Sequence, residues 1–212
     1  MHEVHHGGGH AKSAGALALE LLMICVGVFL GLQVDQWREG RAKAELAHRT
    51  LANFRDEITA NRAAIAGVLL YHHAMDDSLR RLVNRRYASG ARTTFADVFQ
   101  RTGYDGSKTR DLQTTAYDLA IATQALGELP PDLGLRVARV YTRQRALSTF
   151  QDQFGQSVIV STPAPRDDYT RLSVILQQGM HEIGHEEDQL VAAYDSVLPP
   201  LTAALGRGGV RE

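Results

Sequence analysis

Cysteine is almost missing from this chain: Cys25 is the only one in 212 residues. A single thiol excludes an intramolecular disulfide and any multi-cysteine zinc or iron–sulfur site. There is no excess of basic charge either. The 23 Lys and Arg residues stand against 24 Asp and Glu, for a net charge of −1. That balance argues against a nucleic-acid binder, which is usually basic. Proline is scarce, and none falls between residues 14 and 83, so a long helix there meets no breaker. A phosphate-cradling loop is missing. Gly103-x-x-Gly106 precedes Ser107-Lys108-Thr109, but no strand comes before it and the spacing is wrong for a P-loop. No Ser–His or Cys–His nucleophile pattern stands out. No convincing strand is present; Ser157-Val158-Ile159-Val160-Ser161 is a lone apolar run. Hydrophobic residues at 44% and charged residues at 22% are globular averages, which excludes a disordered chain, a collagen-like fibre or a chain that is mostly membrane.

One long apolar run is present. Residues 21–32 read LLMICVGVFLGL, and residues 14–34 are interrupted only by Glu20 and Gln33. As a helix, 21 residues span roughly 30 Å, the thickness of a bilayer's hydrocarbon core. Gln33, Asp35 and Trp37 follow at once and suit the membrane interface, where tryptophan is enriched. The region before the run has one basic residue, Lys12, and the window 31–34 lacks small residues at both positions a signal peptidase requires. The pattern is that of an uncleaved signal-anchor. Gly27 and Gly31 form G-x-x-x-G, which lets two membrane helices approach closely. Glu20 lies about a turn inside the boundary, where a carboxylate can reach the headgroups, stay protonated, pair within an oligomer or relay protons.

From Leu51 a seven-residue repeat appears: Leu51, Phe54, Ile58, Asn61, Ile65, Val68, His72, Met75, Leu79 and Leu82. It predicts a long helix running on from the span, with a coiled-coil-like seam facing a partner subunit or the chain's own helices. Asn61 and His72 are its polar exceptions. Further helices are expected near residues 94–100, over 109–129, from Pro131 to about 155, and over 168–197, ending before Pro199-Pro200. The fold class is therefore all-α: a transmembrane helix continuing into an antiparallel bundle of about four helices. The expected divisions are a His/Gly-rich flexible tail (1–13), the transmembrane helix (14–34), the bundle (35–198) and a flexible tail (199–212).

Two features suggest metal chemistry. His181-Glu182-Ile183-Gly184-His185 matches H-E-x-x-H, which on a helix puts two imidazoles on one face beside a glutamate general base. The charged run Glu186-Glu187-Asp188 follows where a protease helix would be apolar, no convincing third ligand is in view, and His2-Glu3-Val4-His5-His6 matches the same pattern. A solvated, charged helix face is the simpler reading. The N-terminal His2, His5, His6 and His10 could bind transition metals incidentally. No cofactor is otherwise implied.

Residues 20–41, ELLMICVGVFLGLQVDQWREGR, carry Gly27, Val28, Phe29, Gly31, Gln33, Val34, Trp37 and Glu39. This stretch resembles the opening of a family of uncharacterised bacterial single-pass membrane proteins, with Arg38 where an asparagine is usual. Residues 114–143 add a fainter similarity through Tyr117, Leu119, Leu126, Gly127, Asp132, Leu135 and Tyr141. The resemblance covers about a quarter of the chain. It implies the bacterial inner membrane with the C-terminal domain in the periplasm, and implies no activity. The count of basic residues points the other way, with Arg38, Arg41, Lys43 and Arg49 after the span and Lys12 before it. The function expected from the sequence is a non-enzymatic, membrane-anchored structural or interaction subunit, self-associating through Gly27/Gly31 and the seam or joined to a membrane complex. A ligand-sensing bundle and a zinc hydrolase at 181–185 are the alternatives.

Overall fold

The computed structural model describes residues 14–208, with side chains described over 19–207. The fold is all-α. Helix α1 runs Ala14–Ser89, α2 Thr115–Ala122, α3 Pro131–Ser161 and α4 Thr170–Gly208. A π-helical turn (Ala96–Arg101) and a 3₁₀ turn (Ala125–Glu128) lie between them. The chain divides into two compact units between Glu45 and Leu46.

The first unit is the N-terminal part of α1. The segment here is apolar on every side, and none of its 18-residue stretch is buried. One described helix, this one, is long and apolar enough to cross a membrane. The second unit is a helical bundle in which α1 packs with α3 and α4. Contacts fix the directions. Along α1, Arg62 meets Asp195, His72 meets Glu187 and Asp76 meets Gln177, so α4 runs antiparallel to α1. Glu57 meets Tyr141 and Asn61 meets Gln144, so α3 runs in the direction of α1. The chain must cross the bundle between them, and residues 90–130 do so.

Two core clusters fill the unit. One gathers Leu51, Phe54, Ile58 and Ile65 of α1 with Val137 and Tyr141 of α3 and Leu190, Tyr194 and Leu201 of α4. The other gathers Met75, Leu79 and Leu82 with Phe154, Leu176, Met180 and Ile183. All ten seam positions of α1, Asn61 and His72 included, are buried. Their apolar side is filled by the chain's own α3 and α4.

Local chemistry sets the helix ends. Gly90 adopts φ +65°, and its N–H returns to the Arg86 carbonyl at 2.9 Å; this left-handed cap suits glycine. Pro131 occupies the first turn of α3, where its missing N–H costs nothing. The Asp168 carboxylate accepts from the Thr170 N–H at 2.9 Å at the start of α4. Gly179 of α4 lies directly under the Phe154 ring of α3: a Cβ there would sit 2.0 Å from that ring.

Several expectations are corrected. Among the described residues three helices, not four, have bundle length. The helix expected over 109–129 shrinks to the eight residues of α2 and a 3₁₀ turn. Residues 103–114 have no regular structure. Gly103 and Gly106 take positive φ (75° and 87°) there, and the Asn61 side chain satisfies both the N–H and the C=O of Gln113. Helix α3 runs on past its expected end near 155, and residues 157–161 form its last turn. Finally, α4 passes through Pro199 and Pro200 to Gly208, where a stop and a flexible tail were expected. Val197 and Leu201 are fully buried on either side, and this packing offsets the missing backbone donors. Residues 209–212 lie outside the described residues.

Candidate functional site

The apolar segment of α1 presents its side chains outward. Leu21 is 64% exposed, Met23 67% and Phe29 59%. A helix that is apolar all round is suited to lipid or to the centre of a larger assembly. Gly27 and Gly31 share this segment, and a Cβ at either would meet nothing within 4 Å. Gln33, Asp35 and Trp37 are all exposed, and the Arg41 guanidinium lies 4.7 Å from the centre of the Trp37 ring. That stacking presents an aromatic ring and a cation together, a pairing favourable at an interface.

Inside the bundle a ladder of polar side chains ties α1 to the rest. Glu57 takes the Tyr141 hydroxyl at 2.7 Å on one carboxylate oxygen and the Ala116 N–H at 2.9 Å on the other. A residue of α1 thereby caps the start of α2, where exposed N–H groups favour an anion. Burial, and then the hydrogen bond to Glu57, push the Tyr141 hydroxyl above its ordinary pKa. Asn61 donates to the Gln113 carbonyl at 2.8 Å and to Gln144 at 3.1 Å. Tyr194 of α4 closes the set on Gln144 at 2.9 Å. One polar cluster thus touches α1, the crossing segment, α3 and α4.

About three turns beyond Asn61 on α1, His72 and Glu187 meet with their side chains 0% and 1% exposed. The His72 Nε2 contacts the Ser107 carbonyl at 2.6 Å. A carbonyl only accepts, so Nε2 carries a hydrogen. The 2.6 Å contact between Nδ1 and Glu187 Oε2 then needs exactly one more hydrogen between ring and carboxyl. Glu187 Oε1 is buried with no hydrogen-bond partner. Beside this pair, the Tyr71 hydroxyl donates to the Gly106 carbonyl at 2.6 Å, and Lys108 lies over the Tyr71 ring at 4.3 Å. The irregular segment 103–114 is therefore fastened to α1 at His72, Tyr71 and Asn61.

The residues of H-E-I-G-H go separate ways. His181 Nδ1 contacts Asp76 at 3.0 Å, a carboxylate that also receives Gln177 and Arg80. Burial alone would raise the Asp76 carboxyl, but hydrogen bonds from Gln177, His181 and Arg80, with the Arg80 charge, hold it below the usual aspartate range. His185 contacts Gln189 at 2.6 Å. Glu182 is exposed and lines a groove between α3 and α4. Among the described residues no group of three or more His, Cys, Asp or Glu is arranged to hold a metal ion. The third ligand that zinc chemistry needs is thus not supplied there. His2, His5, His6 and His10 lie outside the described residues.

Leu51, Phe54, Ile58, Asn61, Ile65 and Val68, expected at a helix–helix interface, are all in the interior of the chain's own bundle. Sequence reasoning missed Glu57, Gln144 and Glu187. Glu187 had a signal: it falls in the series Leu176, Met180, Ile183, Glu187, Leu190, Tyr194, Val197, Leu201, spaced alternately four and three along α4. The adjacent acids Glu186 and Asp188 hid it.

No family model matches the chain, and neither a curated protein nor a solved structure matches it.

Proposed function

We propose that this chain is a non-enzymatic, membrane-anchored interaction subunit of the bacterial inner membrane, whose helical bundle is held at the bilayer by the N-terminal part of α1. The observation that carries this reading is the exposed apolar stretch of that helix, none of which is covered by the chain itself. Leaving so much apolar surface in water is unfavourable by about 25 cal/mol per Å², and a bilayer removes it. The Trp37–Arg41 pair and the exposed Asp35 suit the lipid–water boundary that follows. The resemblance of residues 20–41 to single-pass membrane proteins supports the same reading and favours the periplasm for the bundle. Self-association, in this reading, uses Gly27 and Gly31, because the seam of α1 is already occupied.

The test is fractionation of the full chain expressed in a bacterium. Retention in the membrane pellet after an alkaline carbonate wash is expected. Release into the wash, or a water-soluble monomer without detergent, overturns the proposal. Side is read by an impermeant maleimide on a Cys25→Ser, Ser89→Cys chain in intact spheroplasts, where labelling reports the periplasm. Light scattering in detergent reads association, and Gly27→Ile with Gly31→Ile is expected to dissociate any oligomer.

A further inference from the structure

On the outer side of α3, Arg136, Arg139 and Arg143 stand three and four residues apart and line one wall of a groove of about 930 Å³. Residues so spaced share a helix face, and the row covers roughly 10 Å. The opposite wall belongs to α4 and carries Glu186 and Ala193. Leu135 also lines the groove and is 52% exposed.

The arginines differ from Arg145 and Arg62. Arg145, two residues further on, pairs with Asp118 at 3.0 Å, and Arg62 pairs with Asp195 at 2.5 Å. Arg136, Arg139, Arg143 and Glu186 have no hydrogen bond or ion pair with any described residue. Arg143 and Glu186 are nonetheless half-buried. The groove therefore carries three arginines with Asp132 at the end of one wall and Glu186 on the other, a net positive lining with Leu135 and Ala193 beside it, and no ion pair joins these charges.

A small polyanion would satisfy the arginines but would face Glu186 across the groove and leave Leu135 uncovered. An amphipathic helix meets all three features at once, and acidic residues at i, i+3 and i+7 match the arginine spacing. We propose that this groove docks a helix of a partner protein, with acidic residues against Arg136, Arg139 and Arg143, an apolar ridge over Leu135 and Ala193, and a basic residue against Glu186. This deepens the interaction-subunit reading and rests on it for its setting, though the groove's charge pattern stands whether or not the chain is membrane-bound.

The probe is a fluorescent helix-forming peptide of about 16 residues, ~24 Å long as a helix, carrying three glutamates at that spacing, a leucine ridge and one arginine. A second peptide has the charges exchanged. Anisotropy is read against the detergent-solubilised full chain, and membrane retention is scored on the same material before solubilisation, so that loss of the anchor and loss of docking are told apart. The acidic peptide is expected to bind at least ~10-fold more tightly than its charge-exchanged isomer, and Arg139→Glu with Arg143→Glu to weaken it at least ~10-fold. Glu186→Arg is expected to weaken it too, and a peptide with glutamate in place of its arginine to restore binding. These surface variants should leave the circular-dichroism melt unchanged. Absent binding, equal binding of the isomer, or failure of the Glu186→Arg rescue overturns the proposal. So does inorganic pyrophosphate that binds the groove as tightly as the peptide, since that outcome assigns a small-anion site.

Discussion

His72 of α1 and Glu187 of α4 meet at 2.6 Å in the interior of the bundle, with both side chains essentially inaccessible to water. The contact joins two residues 115 positions apart in sequence, and its far side, at Nε2, holds the Ser107 carbonyl of the crossing segment. Removing the imidazole leaves the buried Glu187 carboxyl and the Ser107 carbonyl without this partner, at a cost of about 1–3 kcal/mol for each group.

His72→Ala is therefore expected to destabilise the bundle by about that amount in urea unfolding of the detergent-solubilised chain. Glu187→Gln keeps the shape, and its amide can donate to Nδ1 while Nε2–H still reaches Ser107. Its loss should be nearer 1 kcal/mol, the scale of one neutral hydrogen bond. His185→Ala, at an exposed position on the same helix, should fall within about 0.5 kcal/mol of the native chain. Equal losses for His72→Ala and His185→Ala would refute the account of the pair.

Acid should loosen the end of the bundle near the π-helical turn. Asp97 is buried and accepts from Thr94 Oγ1 at 2.7 Å, the Thr94 N–H at 2.9 Å and Arg101 at 2.6 Å, with Arg86 also in contact. Burial pushes its carboxyl up, but the Thr94 bonds and the Arg86 and Arg101 charges outweigh it and hold the group below the usual range. A carboxyl depressed in the folded state contributes stability above the ordinary aspartate value of about 3.9 and loses it as pH falls through the folded value. The melting temperature should therefore drop between about pH 5 and pH 2. Asp97→Asn, which costs on the order of 2 kcal/mol at neutral pH, should flatten that drop. An unchanged pH profile in the variant would contradict this assignment.

Gly179 is required where α3 and α4 touch. With a Cβ 2.0 Å from the Phe154 ring, Gly179→Ala must displace that ring, and overpacking of this kind costs about 1–3 kcal/mol. Phe154→Leu in the same chain should recover part of the loss by freeing space. A Gly179→Ala chain as stable as the native one would show that the helices stand further apart than described.

The two regions of α1 should respond independently. Ile58→Ala and Ile65→Ala remove fully buried side chains and should each cost about 2–5 kcal/mol of bundle stability. Gly27→Ile and Gly31→Ile, whose surroundings are open, should leave the urea midpoint of the bundle unchanged and alter only the mass in detergent. If Ile65→Ala dissociated an oligomer without destabilising the bundle, the seam would serve a partner after all.

The sequence alone determined the all-α class, the long apolar N-terminal stretch and the buried face of α1, because each is written in local periodicity: an unbroken apolar run, and apolar residues every three and four positions. It marked Asn61 and His72 as exceptions on that face for the same reason. Tertiary structure decided what the seam packs against, since a heptad pattern reads alike whether its partner is another chain or the same one. It decided that Glu187 is interior while its neighbours Glu186 and Asp188 are not, because burial follows the helix face and not the charge of a run. It carried α4 through Pro199 and Pro200, where burial of Val197 and Leu201 outweighs a local helix stop. It also reduced the helix expected over 109–129 to α2, because the Asn61 side chain takes the backbone groups of Gln113 that a helix would have used. Side chains distant in sequence made these choices, and no local pattern records which distant groups will meet.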